Sequence, residues 1–319
     1  MRVAIPNAYQ LVGFFARREP RRLPLSDRAA DPGIFGRDSV TWRVLREPLL
    51  ILGGGRALLL QAAHPLVAQG AIEHSRYATD PYGRLDRTLT WVTQVSFGTR
   101  AEARAACEVV NRLHARVRGE LPRDRGTPKV RAGTAYSALD ADLLVWVLAT
   151  FVDTLLVSHD ALVGGLSEAD RDAFVMEWHR VGRLMDVPLK GLWRTHAQLR
   201  AYIEEQVGDG PVHPGPGSIL VSDTILRPQL PSPALRPAYD AAIFVTVGLL
   251  PSRVRREYGI LWTPAHDAAH LALRTWLRTA QALLPSGVRR TPVYDFAVAR
   301  AAGKLASRQP GRRSKKQAA

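Results

Sequence analysis

Ala, Leu and Arg fill long runs of this chain, and the period-two alternation of Val, Ile and Thr that marks sheet is scarce, so the pattern predicts an all-α protein. Pro48 suits the first turn of a helix running into LLILGGGRALLLQAA, and Pro65 suits the start of the next. Residues 61–65 therefore form a break, with His64 at the bend. A helix follows over about 83–97 and stops at Gly98. Thr99 and Glu102 then have the spacing of a capping box, opening a helix through Arg118 that Gly119 and Pro122 terminate. Asp140 is placed to cap a strongly apolar helix reaching about Ser158. Ser167 with Asp170 opens another to Met185, and Thr195 with Gln198 repeats the spacing. Residues 209–237 are rich in Pro and Gly and read as loop with at most short helices, a lid or channel wall. Helices resume at about 239–250, 251–258, 263–284 and 293–306.

With no internal repeat and no linker composition, 41–303 reads as a single multi-helix domain. Residues 1–40 form a flexible Pro- and Arg-rich arm over the core, and 304–319 a disordered basic tail. At 319 residues and 46% hydrophobic content the chain can bury a sizeable core. A formal charge of +15 raises nucleic acid or an anionic membrane as partners. The tail holds six basic residues and no acid, which leaves +9 of the +15 spread over most helices, with no recognised nucleic-acid motif. No nucleic-acid partner is expected. Peripheral membrane contact through the tail is compatible with the charge, at about 1 kcal/mol per basic residue near an anionic surface.

Cys107 is the only cysteine, which excludes an intramolecular disulfide and a thiolate metal cluster. The N-terminal apolar stretch is too short and interrupted for an export signal, and the runs at 143–157 and 241–250 fall short of the ~20 residues that span a bilayer. Asp153 sits inside the first of them. Both read as buried helices, and the expected location is cytoplasmic.

Two features carry candidate chemistry. RLDRT, Arg84 to Thr88, lies on a helix where Arg84, Thr88, Trp91 and Val95 share a face, setting an arginine among apolar neighbours. Such an arginine either snorkels to solvent or a carboxylate, or recognises an anion. His114, in NRLHARVRG, shares a stripe with Cys107 and Val110, on the flank of an apolar face of Ala106, Val109, Leu113 and Val117. A lone His there is either a hydrogen-bonded core residue or a metal ligand, and a neutral imidazole facing an apolar cleft suits haem iron.

The segments GGGRALLLQAAHPLVAQGAIEHS, DPYGRLDRTLTWV and FGTRAEARAACEVVNRLHARVRG, with YSALDADLLVWV and LPSRVRREYGILW beyond them, resemble the MpaB-type oxygenase and rubber-oxygenase (latex-clearing protein) family over roughly residues 40–285. The resemblance implies a globin-related, haem-enclosing core. It implies haem b as cofactor, His114 as axial iron ligand, and Arg84 and Thr88 near the haem. In the rubber-oxygenase branch a Lys stands on the distal side where this chain has Arg87. Arginine stays protonated and cannot ligate iron, so an open distal site is expected, with Arg87 facing oxygen or a propionate. The branch's distal acidic base has no clean counterpart, and Glu73 is the nearest candidate. His64 and Gln61 suit either a distal donor or a structural role at the break. The resemblance implies oxidation or cleavage of a C=C bond with O2, on a small lipophilic substrate, with isoprenoid or prenyl chains as the class the family suggests. A haem-binding sensor or carrier without turnover, and a haem-free peripheral lipid-binding protein, stand as alternatives.

Weaker motifs remain. His266 and His270 have metal-capable spacing, but Asp267 stands where a zincin needs Glu. Gly53, Gly54 and Gly55 lack the context of a dinucleotide turn and read as close helix packing. Cys107 reads as a small buried filler.

Overall fold

The computed structural model describes residues 24–26, 30–75, 79–230, 232–285 and 287–305. Its helices are α1 Val40–Leu45, α2 Gly54–Ala63, α3 Pro65–His74, α4 Pro81–Phe97, α5 Arg100–His114, α6 Ala141–Leu162, α7 Glu168–Leu184, α8 His196–Gly208, α9 Pro216–Leu226, α10 Arg236–Gly248, α11 Ser252–Glu257, α12 Pro264–Leu283 and α13 Pro292–Ala301. A 3-10 turn, Pro48–Gly53, leads into α2. Two three-residue strands, β1 Arg118–Glu120 and β2 Ala135–Ser137, pair antiparallel between α5 and α6, with Gly119 opposite Tyr136.

Local chemistry sets the helix starts. The Thr99 hydroxyl accepts from Glu102 N at 3.1 Å while Glu102 Oε2 accepts from Thr99 N at 2.7 Å, the reciprocal capping box that the spacing predicts. Ser167 and Asp170 repeat it at 3.1 and 3.2 Å. Asp140 departs from expectation: its carboxylate accepts from Ser137 N at 2.8 Å, tying the end of β2 to α6 instead of capping the helix. Two boundaries also differ. α5 ends at His114 because the chain turns there and Arg118 enters the strand ladder opposite Ser137. Within the stretch read as loop with at most short helices, residues 216–226 form the three-turn α9; Pro216 occupies the first turn, where its missing N–H costs nothing, and Val221 packs with Ala62 and Ala68 of α2 and α3.

α6 is the core helix. Trp146, Ala149, Val152 and Leu156 are buried along it, against Phe174 and Trp178 of α7. By length and composition it could cross a bilayer, but 67% of that apolar window is buried inside the fold. The arm reaches the same core through Phe35, whose ring lies 5.6 Å from Trp178. The rest of the arm before residue 30, apart from residues 24–26, and the tail after 305 lie outside the described residues.

Asp153, in the middle of this apolar helix, is fully buried, and so is Arg56 of α2. Arg56 Nη2 donates to Asp153 Oδ2 at 2.6 Å, Nη1 to Thr154 Oγ1 at 2.7 Å, and Nε to Leu249 O at 2.7 Å. The other Asp153 oxygen accepts from Arg200 Nη1 of α8 at 3.3 Å. Four segments are thereby joined at one charge pair. The glycines before Arg56 allow this approach: a Cβ at Gly53 would lie 2.0 Å from Ser158 Oγ, and one at Gly55 2.9 Å from Thr246 Cγ2. Close packing is therefore their role.

α2 and α3 meet at a bend of 104°. His64 makes the corner: buried, it accepts from Leu66 N through Nδ1 at 3.3 Å and so caps α3. Accepting through Nδ1 leaves the proton on Nε2. Burial lowers its pKa to about 4.

Two predictions follow from the buried charges and the bend. Asp153→Leu strands Arg56 and should cost about 3–5 kcal/mol in urea unfolding, whereas Arg56→Met with Asp153→Leu should recover most of it; a single variant within about 1 kcal/mol of wild type contradicts the assignment. The unfolded chain binds a proton at His64 more tightly than the native one, so stability is held above pH 6.5 and falls as pH drops toward 4. The shift corresponds to about 3 kcal/mol. His64→Asn keeps a cap acceptor, cannot titrate, and should flatten the acid limb by that amount.

Candidate functional site at the end of the α4–α5 pair

α4 and α5 run antiparallel, joined at Gly98 and Thr99. Trp91 and Cys107 set their register: the Cys107 thiol lies beside the Trp91 indole, and burial pushes its pKa up to about 11. Seven residues further along each helix, two turns, that register puts Arg84 and His114 toward the same end of the pair. Arg84 is half-buried, and Thr88 donates its hydroxyl to the Arg84 carbonyl at 3.0 Å.

The buried stripe of α5 is Ala103, Ala106 and Cys107, continued by the half-buried Val110 and His114. This corrects the expected apolar face, because Val109 and Leu113 are 49% and 57% exposed. His114 thus sits on the inward stripe itself. Its Nδ1 is buried with no hydrogen-bond partner among the described residues, and desolvation holds its pKa below the ordinary 6.5. At neutral pH the ring is uncharged with an unsatisfied nitrogen, a donor that fits a transition metal such as haem iron. A guanidinium at the same end, Arg84, fits an anionic periphery of such a group. Asn111, three residues before His114, fixes this end by donating to Leu184 O at 2.9 Å and Asp186 Oδ2 at 3.1 Å.

The remaining sequence candidates are placed as follows. Arg87 points outward, its side chain 53% exposed, and pairs with Asp80 Oδ2 at 3.2 Å, while Asp80 Oδ1 caps α4 by accepting from Gly83 N at 2.9 Å. Glu73 lies on the last turn of α3, where Gln69 Nε2 donates to Oε1 at 2.6 Å and the Tyr136 hydroxyl donates to Oε2. The Tyr136 hydrogen bond leads in holding the Glu73 carboxyl below the usual range, which weakens it as a proton acceptor. The same contact pins β2 to α3. Gly70, one turn earlier, faces Val117 just beyond His114, so α3 passes beside the end of α5. His64 stands at the other end of α3, and Gln61 accepts from His64 N through its carbonyl at 3.3 Å.

His266 accepts from Thr263 N as part of the α12 cap, and His270 fills the notch left by Gly248, with its ring edge-on to Phe244 and Trp262. Both histidines have packing roles. Sequence reasoning passed over Asp86, a buried carboxylate inside RLDRT on the deepest stripe of α4 with Gly83, Thr93 and Phe97. It also passed over Tyr136, whose role depends on a strand pairing. A carboxylate three residues after a glycine on the helix's inner face was the available signal for the first.

Residues 42–282 match the family described as ER-bound oxygenase mpaB/B'/Rubber oxygenase, catalytic domain. An uncharacterized protein of Mycobacterium bovis and one of Mycobacterium tuberculosis are each 24% identical to the chain over 232 residues, covering 72% of this chain and 87% of theirs. No solved structure matches. The matched span runs from α1 into the last turn of α12 and contains the RLDRT helix, the His64 corner and His114, and the chain belongs to the MpaB and rubber-oxygenase catalytic-domain family.

Proposed function

We propose that this protein is a haem b-dependent oxygenase acting on a small lipophilic substrate, with a globin-related arrangement of helices around the haem. The observation that carries the reading is the half-buried, neutral His114 imidazole, whose Nδ1 is out of solvent and unpartnered among the described residues, in a chain of an oxygenase family. His114 would hold the iron and Arg84 a propionate. Bound haem b would supply oxidation or cleavage of a C=C bond with O2, chemistry that side chains alone do not provide.

The chain's own residues supply the setting. Desolvation keeps His114 deprotonated, so its lone pair is available throughout the neutral range. Trp91, Phe151 and Cys107 give an apolar wall that excludes water and favours a lipophilic substrate. Prenyl or isoprenoid chains fit that wall and the family analogy. The protein would work in the cytoplasm, with the charge of the basic tail suited to an anionic membrane surface.

A second reading, haem binding without turnover as sensor or carrier, draws on two observations. Arg87 is engaged with Asp80 at the surface, and Glu73 is committed to Gln69 and Tyr136, so neither stands as a free distal group. Turnover separates the two readings.

Hemin titration of the purified protein should give saturable one-to-one uptake with a Soret band. His114→Ala should weaken it at least tenfold, about 1.4 kcal/mol, Arg84→Ala should weaken it less, and Arg87→Ala should leave it unchanged. Oxygen consumption with a prenyl substrate then reports oxygenase activity. Absence of any uptake by wild type would overturn the proposal in favour of a haem-free lipid-binding scaffold.

A further inference from the structure

A groove of about 790 Å³ opens between the C-terminal end of α6, the start of α8 and one side of α12. α6 separates it from the His114 end. Ala138, just before α6, donates to Val117 O beside the end of α5, whereas the groove meets α6 at Val157, Asp160 and Ala161. At 1.5 Å per residue the two places lie about 30 Å apart along the helix.

The lining divides by chemistry. Val157, Ala161, Leu249 and Leu271 supply an apolar floor. Arg274 and Arg278, one turn apart on α12, stand over it, and neither forms an ion pair or hydrogen bond with any group among the described residues. The other charges around the groove are engaged. Asp160 holds Arg171 in two hydrogen bonds of 3.1 Å, and Arg200 is shared between Asp153 at 3.3 Å and Glu204 at 3.4 Å. Gly164 adds a steric fact: a Cβ there would fall 2.1 Å from Arg278 Nη2, so the guanidinium rests on bare backbone at a residue whose φ is +78°. Arg278 is thereby held at the rim without an acidic partner.

Two uncommitted guanidinium groups above an apolar trough make a receptor for an anion that carries a hydrocarbon chain. A carboxylate or phosphate head takes bidentate hydrogen bonds from arginine, and the chain removes the trough from water. The volume falls within the ~300–1,000 Å³ range of small-molecule sites. We infer that this groove binds a single-chain anionic amphiphile, of the fatty-acid or lipid-phosphate class, at a site separate from the His114 end. The inference does not depend on haem binding.

Isothermal titration of the purified full chain with decanoate, below its micelle concentration, tests it. Saturable one-to-one binding is expected, at least tenfold weaker in R274Q/R278Q and similarly weakened by Ala282→Trp, which blocks the trough from an exposed position while leaving both arginines. The urea-unfolding midpoint of R274Q/R278Q should match wild type, which shows that the variant folds, and its response to hemin should equal that of wild type, which keeps the two sites distinct. Absence of saturable decanoate binding, or equal affinity in R274Q/R278Q, overturns the inference. Inorganic phosphate binding as tightly as decanoate would make the groove a plain anion site and also overturn it. So would capture by phosphatidylglycerol vesicles without decanoate binding, which would assign the arginines to a bilayer surface.

Discussion

The fold turns on a charge pair that has no access to water. An ionised Asp153 in the middle of the most apolar helix would be untenable alone, and so would Arg56 among the glycines and leucines of α2. Together they are fully hydrogen-bonded, to each other, to Thr154, to the carbonyl of Leu249 and to Arg200. A buried pair of this kind adds little net stability over apolar residues of the same shape, but it permits one arrangement of its partners. Here it sets how α2 lies on α6, where α10 ends and how α8 begins its course. Gly53 and Gly55 are small because the backbones must close on Ser158 and Thr246 for the pair to meet.

The α4–α5 end inherits that geometry through the corner at His64. Because α2 is locked to α6 and turns through 104° into α3, α3 passes the end of α5, with Gly70 against Val117 and Glu73 anchoring Tyr136. His114 is half-buried at that end, its Nδ1 out of solvent and without a hydrogen bond among the described residues. The histidines differ in use: His64 spends Nδ1 on a helix cap, His270 fills a glycine notch, and the half-buried His114 and the buried His159 of α6 each keep an Nδ1 with no hydrogen bond among the described residues. Burial makes all four poor bases, and His114 differs from His159 in standing half-exposed at the end of its helix instead of inside the core helix.

What the sequence made legible is what local chemistry decides. The Thr99–Glu102 and Ser167–Asp170 boxes, the break before Pro65 and the helix ending at Gly98 each rest on residues within a few positions of one another. The motif helix and the histidine helix were readable for the same reason. Interactions between distant segments were not. The β1–β2 pairing that ends α5 early joins residues nearly twenty apart, and the Arg56–Asp153 pair joins residues 97 apart. α9 was hidden because Pro and Gly were read by composition, although Pro216 at a first turn favours a helix. The inward face of α5 was assigned too far toward Val109 and Leu113 because both are apolar, yet both face outward. Arg87 is an instance of the converse. Its place in the motif suggested an inner role, and Asp80, seven residues earlier, pairs with it at the surface.

The account centres on the His114 ring nitrogen as the attachment point for iron. The most direct measurement replaces that ring by a cavity: His114→Gly protein is mixed with hemin, and its absorption and resonance Raman spectra are recorded with and without added imidazole. If the account holds, haem is retained only when imidazole is supplied, and the rescued spectra match those of wild type. A wild-type spectrum from His114→Gly without imidazole would place the iron ligand elsewhere and contradict it.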